Sequence, residues 1–167
     1  MPHEPEQLRI VVGSDDAGRP YKDLLAEAMR TDGRVAEVRD VAGGLPAGAA
    51  YPAVAFAAAE RIAAGRADRA LLVCHTGLGM AIVANKVPGV RAVTAHDVVS
   101  VRASVLSNDA QVLALGQGVI GLALARRLVG EWLAHRFAPG TSAEAKLAAI
   151  RDYEQHRAST AVAGRGC

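Results

Sequence analysis

The stretch Arg69-Ala70-Leu71-Leu72-Val73-Cys74-His75-Thr76-Gly77-Leu78-Gly79-Met80-Ala81-Ile82-Val83-Ala84-Asn85-Lys86 decides the fold of this chain. Arg69 to Val73 has the short, apolar, β-branched character of a strand buried in a parallel sheet. Gly77 and Gly79 then permit a tight turn and close approach of a ligand to the backbone. Ala81 to Lys86 reads as a short helix that stops before the Pro88-Gly89 breaker. A helix N-terminus offers unpaired N–H groups and a partial positive charge of roughly half a unit. It therefore suits a phosphate, an oxyanion or a thiolate. Cys74 sits at the strand end beside that turn. A thiol base and an anion hole in one turn point to enolate chemistry.

Working outward, short strands alternate with helical stretches. Leu8 to Gly13 reads as the first strand and Val35 to Val38 as a weaker second. Ala70 to Cys74, Arg91 to Thr94 and Val112 to Leu115 supply three more. Pro20 opens a helix to about Asp32, and Pro52 opens another to Ala64, each at the position proline favours. Asp97 to Leu106 and Ile120 to Arg136 are further helices. In the latter, Leu124, Leu128 and Trp132 recur every four residues, which predicts one buried face. A last helix, about Ser142 to His156, follows Pro139-Gly140. The expected domain is 1–157, with 158–167 a disordered tail. This alternation predicts an α/β fold, a five-stranded parallel sheet covered on both faces with a C-terminal helix. Ligands of such sheets sit at the carboxyl ends of the strands. Strands one and three end in Ser14-Asp15-Asp16 and Cys74-His75-Thr76, which places the chemistry there.

Composition narrows the function. The 167 residues suffice for one domain with a full core. A net charge of +2, dispersed along the chain, argues against a nucleic-acid partner. No apolar run approaches the roughly 20 residues that span a bilayer, so a membrane partner is not expected. The polar start Met1-Pro2-His3-Glu4 is unlike a signal peptide. The two cysteines, Cys74 and Cys167, give no disulfide framework, which predicts a cytoplasmic protein. The five histidines show no ligand spacing, so neither metal nor cofactor is expected.

Several motifs stand in order along residues 8–151. They are Gly13-Ser14-Asp15 with Ala17-Gly18, Tyr51-Pro52, and Cys74 with Thr76-Gly77-Leu78-Gly79. Ala84-Asn85-Lys86-Val87-Pro88-Gly89-Val90-Arg91, His96-Asp97, Ser107-Asn108-Asp109, Val112-Leu113-Ala114 and Val119-Ile120-Gly121 complete the set. Together they resemble the type B ribose-5-phosphate isomerases and their galactose-6-phosphate isomerase relatives. The resemblance implies a Rossmann-like three-layer fold and aldose–ketose isomerisation of a sugar phosphate. It also implies that Cys74 moves the proton between C1 and C2, with Thr76 beside it. The backbone of Gly77, Leu78, Gly79, Met80 and Ala81 would stabilise the enediolate. Asp15 would hold a hydroxyl, and Asn108, from a neighbouring subunit of a homodimer, a substrate oxygen. Taken alone, Cys74 also reads as a small buried hydrophobe, and Asp15 and Asn108 as turn or cap residues.

The departures from the family carry the substrate argument. Where the type B ribose-5-phosphate isomerases have a ring-opening histidine, this chain has Ser107. The histidine of their Asp-His-Ala-Gly motif is Asp16. An arginine two residues after the Gly116 position is Gly118, and a later phosphate-binding arginine falls near Thr141, with Lys146 the nearest basic companion. Ring opening and the phosphate clamp are lost while Cys74 and its turn are kept, which points to a changed substrate. In erythrose 4-phosphate the C4 oxygen carries the phosphate, so no unstrained ring closes and no ring need be opened. Asp-x-Ala-Gly and Leu-Ser-Asn-x-Ala-Gln also resemble the tetrulose-phosphate isomerases of erythritol catabolism. That resemblance implies interconversion of D-erythrulose 4-phosphate and D-erythrose 4-phosphate.

New residues are available for the lost contacts. Arg19 follows the Asp15-Asp16 turn, and a guanidinium binds phosphate with a bidentate fork; it reads equally as a solvated helix-start residue. His75 replaces the glycine usual after the cysteine. It would tune the thiol or touch phosphate, or simply pack. His96 beside Asp97 reads as a helix start. Two alternatives remain: isomerisation of ribose 5-phosphate or another sugar phosphate, and a non-catalytic sugar-phosphate or nucleotide binder. Gly77-x-Gly79 lacks the third glycine of the dinucleotide fingerprint and follows the third strand, which weakens the nucleotide reading.

Overall fold

The computed structural model describes residues 7–163, with side chains through 160. Five strands, β1 (Leu8–Ser14), β2 (Val35–Asp40), β3 (Arg69–Cys74), β4 (Ala92–Thr94) and β5 (Val112–Gly116), form one parallel sheet in the order β2-β1-β3-β5-β4. The described residues form six helices, α1 (Arg19–Arg30), α2 (Tyr51–Ala63), α3 (Leu78–Ala84), α4 (Val98–Leu106), α5 (Leu122–Ala134) and α6 (Ser142–Ala163). A 3-10 turn covers Val41–Gly44.

Period-two alternation along the strands builds two cores. Ile10, Val12, Leu71, Val73, Leu113 and Leu115 face α1, α4 and α5. Val11, Ala70, Leu72, Cys74, Val112 and Ala114 face α2 and α3. β3 is buried along its whole length, as a central parallel strand must be. Its register to both neighbours brings Ser14 beside Val73 and Gly116 beside Cys74. The carboxyl ends of β1, β3 and β5 therefore lie side by side. The chain leaves β1 toward β2 on one side and returns as β3 on the other, so the crevice between β1 and β3 is the switch point of the sheet.

At the opposite edge, the buried Arg69 guanidinium donates to the carbonyls of Trp132 and His135 and lies 5.3 Å from the Trp132 ring centroid. Burial lowers its pKa to about 10. This anchors the end of α5 against the start of β3.

Three expectations are corrected. Leu124 is exposed, and α5 instead buries Ala125, Leu128, Val129, Trp132 and Leu133. The four-residue stripe drifts round a helix of 3.6 residues per turn, so its first member leaves the core. The third helix begins at Leu78, so the glycine turn is itself the first helical turn. The last helix runs past His156 to Ala163; the remainder of the expected tail, 164–167, lies outside the described residues. Among the described residues no helix is long and apolar enough to cross a membrane.

Candidate active site

The site begins with the last residue of β3. Cys74 is 6% exposed, and its Sγ accepts a hydrogen bond from the Gly77 N–H at 3.1 Å. Gly77 has φ +80°, a conformation that costs an L-residue roughly 1–2 kcal/mol. A methyl group there would also stand 3.0 Å from the Leu115 carbonyl carbon and 3.1 Å from Thr94 Cγ2. Glycine is thus required both by dihedral and by space. Thr94 Oγ1 donates to the Gly77 carbonyl at 2.9 Å, which pins the turn to β4.

Beyond Gly77, helix α3 starts without a side-chain cap. The Leu78 N–H reaches Thr76 Oγ1 only at 3.4 Å. The N–H groups of Gly79 and Met80 find no acceptor among the described residues. The Ala81 N–H is used within the helix, donating to the Gly77 carbonyl at 3.3 Å. So of the five expected backbone contacts, Gly79 and Met80 offer open donors, Leu78 is held only by a long bond to Thr76, and Gly77 serves the thiol. The ring of Tyr51 lies against Gly79, where a Cβ would fall 2.7 Å from Cε2, and it forms one wall of the turn.

The turn after β1 meets this site from the side. Asp15 Oδ1 accepts the Gly18 N–H at 2.9 Å. That bond seats Gly18 against the Val73 carbonyl, with room for no side chain: a Cβ would fall 2.9 Å from the Cys74 nitrogen. Asp15 is therefore half committed to the backbone, and its second oxygen has no hydrogen-bond partner among the described residues. Asp16 and Arg19 are ion-paired with each other. They line a cavity of about 280 Å³ with Ser14, Lys22 and the 42–49 loop. Lys22 is buried and paired with Asp23 and Asp40, and these carboxylates raise its pKa against the opposing effect of burial, the largest single influence.

On the β5 side, His96 has a role that the sequence did not suggest. The Gly116 N–H donates to His96 Nε2 at 2.9 Å, so the imidazole is neutral with its proton on Nδ1. Burial pushes its pKa below the ordinary value. His96 is thus more than a helix start; that role belongs to Asp97, whose carboxylate accepts the Ser100 N–H at 2.7 Å. His75 is exposed, and its ring lies on Gly118. His96-Asp97 was visible as a motif, but nothing in the spacing ties position 96 to position 116.

Two expected site residues are not brought to Cys74 within one chain. Asn108 is exposed just after α4, before β5 begins, at the amino end of the sheet. The length of β5, roughly 15 Å at about 3.3 Å per residue, separates that edge from Cys74. Lys146 is exposed on α6. That helix is tied at Glu154, which accepts the Gly89 N–H at 2.9 Å, and it buries Leu147, the residue next to Lys146. Among the described residues no group of three or more His, Cys, Asp or Glu could hold a metal ion.

Residues 10–150 match the profile of a family described as Ribose/Galactose Isomerase. The chain is 57% identical over 148 residues to D-erythrulose-4-phosphate isomerase 2 of Mycolicibacterium smegmatis, covering 88% of this chain and 97% of the relative. It is 40% identical over 149 residues to D-erythrulose-4-phosphate isomerase of Pectobacterium atrosepticum, covering 88% and 95%. The ribose-5-phosphate isomerase B of Clostridium thermocellum superposes with a TM-score of 0.81 at 36% identity, over 89% of this chain and 98% of that one. With a thiol, an open N–H turn and a parallel sheet arranged as above, the chain belongs to the ribose/galactose isomerase family of sugar-phosphate isomerases.

Proposed function

We propose that the protein interconverts D-erythrulose 4-phosphate and D-erythrose 4-phosphate through an enediolate. The observation that carries this reading is the Cys74 sulfur held at 3.1 Å from the Gly77 N–H, beside the open donors of the same turn. As thiolate, Cys74 takes the proton from the carbon next to the carbonyl. The C–H electron pair becomes the enediolate double bond, and the carbonyl pair moves onto oxygen. The N–H groups of Leu78, Gly79 and Met80 meet the charge where it develops, which is where oriented donors act most strongly. Cys74 returns the proton to the adjacent carbon while the hydroxyl proton passes between the two oxygens. Thr76 supports the turn, and the free oxygen of Asp15 takes a substrate hydroxyl.

The four-carbon substrate follows from Ser107 standing where a ring-opening histidine would be needed, and relatives at 57% and 40% identity carry D-erythrulose 4-phosphate in their names. Arg19 is the cation available to the phosphate end, by exchanging its partner Asp16 for phosphate; Lys146, which no contact brings to Cys74 within one chain, would serve from a second copy. Asn108 reaches a Cys74 site only from a second copy of the chain, so the working unit is a homodimer or a larger assembly.

The test is kcat/KM for erythrulose 4-phosphate, erythrose 4-phosphate and ribose 5-phosphate on the unmodified protein. A tetrose preference of about a hundredfold, roughly 2.7 kcal/mol of transition-state stabilisation, is expected. Equal efficiency or a preference for ribose 5-phosphate overturns the assignment. Mixing Cys74→Ala and Asn108→Ala subunits should restore activity, because one hybrid site is complete. No rescue after demonstrated subunit exchange would place the site within one chain.

A further inference from the structure

The loops that leave β3 and β5 run side by side past the end of the sheet. The Gln117 N–H donates to the Cys74 carbonyl and the Gly118 N–H to the His75 carbonyl, both at 2.9 Å. These bonds fix residue 118 next to residue 75. The space where a Cβ of residue 118 would stand is filled by the His75 imidazole, at 2.5 Å for Nδ1 and 2.7 Å for Nε2. The ring therefore requires glycine at 118, and glycine at 118 gives the ring its seat. Neither ring nitrogen has a hydrogen-bond partner among the described residues, although the side chain is exposed. It is a polar ring held by packing on backbone, with its nitrogens left for something else. It is also the residue directly after the proposed base, with Cα atoms about 3.8 Å apart.

We infer that His75, seated on Gly118, is the residue that recognises the phosphate of a short sugar phosphate and sets the reach of the site. In erythrulose 4-phosphate the phosphorus lies four bonds from C2; in a pentose 5-phosphate it lies five. A donor one residue from the base suits the shorter ester, and the ring's bulk on the β5 side leaves less room for the longer one. An imidazole N–H bonded to a phosphate oxygen is a charge-assisted contact, stronger than a neutral one. Gly118 contributes no atom to the ligand; it is a positioning residue that acts through the ring.

This inference rests on the isomerase reading, but a probe independent of turnover tests it. Binding of inorganic phosphate, followed by titration calorimetry, is measured for the unmodified protein, His75→Ala, Gly118→Ala and the double variant. A methyl at 118 displaces a flexible side chain and leaves the backbone in place, so Gly118→Ala should imitate His75→Ala. Each single variant is expected to weaken phosphate binding about tenfold, and the double variant no further. In turnover, KM for the sugar phosphate should rise about tenfold with kcat within a few-fold. His75→Gln, which keeps an N–H donor, should recover part of the loss. If Gly118→Ala does not fold, the His75→Ala and His75→Gln pair carries the test.

Unchanged phosphate binding in His75→Ala, additive losses in the double variant, or no measurable phosphate binding by the unmodified protein would each overturn the inference. Phosphate binding that depends on His75 in a protein inactive on erythrulose 4-phosphate would instead overturn the substrate assignment and leave this contact standing.

Discussion

The turns after β1 and β3 are built alike and do different work. In each, the side chain at the strand end accepts the N–H of a glycine three residues on: Asp15 from Gly18 at 2.9 Å, Cys74 from Gly77 at 3.1 Å. In each, a helix follows. But Gly18 is right-handed, with φ −84°, and its absent side chain makes room for the neighbouring strand. Gly77 is left-handed, and the N–H groups of Gly79 and Met80 after it find no acceptor among the described residues. Helix α1 then places Pro20 in its first turn, which removes a donor, and ion-pairs Arg19 with Asp16. Helix α3 has no proline in its first turn and keeps its donors. The first turn is a brace; the second, in the proposed mechanism, is an anion hole with a base attached. Two similar loops thus divide support from chemistry, and the difference lies in a proline, two carboxylates and the sign of one φ.

The largest expected effect comes from removing the group that makes the second turn chemical. Cys74→Ala should lower kcat by at least a hundred- to ten-thousandfold, the usual worth of general base catalysis. Substrate affinity and thermal stability should stay near those of the unmodified protein. Rate and affinity measured on the same preparation decide it, and a rate within a few-fold of the original would remove Cys74 from the mechanism.

Gly77→Ala attacks the handedness of the turn. The positive φ costs an L-residue roughly 1–2 kcal/mol, and the 3.0 Å approach to Leu115 adds to it. Denaturant titration should show a loss of at least that size, with kcat down more than tenfold. A variant of unchanged stability and rate would show that the left-handed glycine is dispensable.

Asp15 sharpens the comparison from the other side. Asp15→Asn keeps an acceptor for Gly18, whereas Asp15→Ala loses it at about 1 kcal/mol, by analogy with helix caps. Stability should fall for alanine and hold for asparagine. If KM also rises only for alanine, the residue is a brace alone; a rise in both variants would show that the second carboxylate oxygen meets substrate.

The smallest effect is the pH dependence of His96. Its folded pKa is pushed below the ordinary 6.5 by burial, so the unfolded chain holds the proton more tightly. Its contribution to stability is present above 6.5 and is lost as pH falls through the lower folded value. Protonation also takes the lone pair that holds the Gly116 N–H. Unfolding free energy followed from pH 7 toward pH 5, a span set by the ordinary imidazole value, should drop more steeply for the unmodified protein than for His96→Gln. Identical slopes would remove His96 as the source.

The parallel α/β sheet, the strand that ends at Cys74 and the glycine turn after it are legible in the sequence. These are local: an apolar run, two glycines and a breaker each act within a few residues, so their physics is written in neighbouring letters. Ser107, Asp16 and Gly118 likewise announced an altered substrate before any geometry was known. The tertiary structure alone decided which residues meet across the sheet. It turned Leu124 outward, laid His75 on Gly118 and tied His96 to Gly116. It also put Asn108 at the edge opposite Cys74 and left Lys146 exposed on the last helix. Each of these depends on strand register and on helix phase accumulated over many residues, where small departures from an ideal period move a side chain from core to solvent. No local pattern carries that information, because the contact is made by elements far apart in the chain.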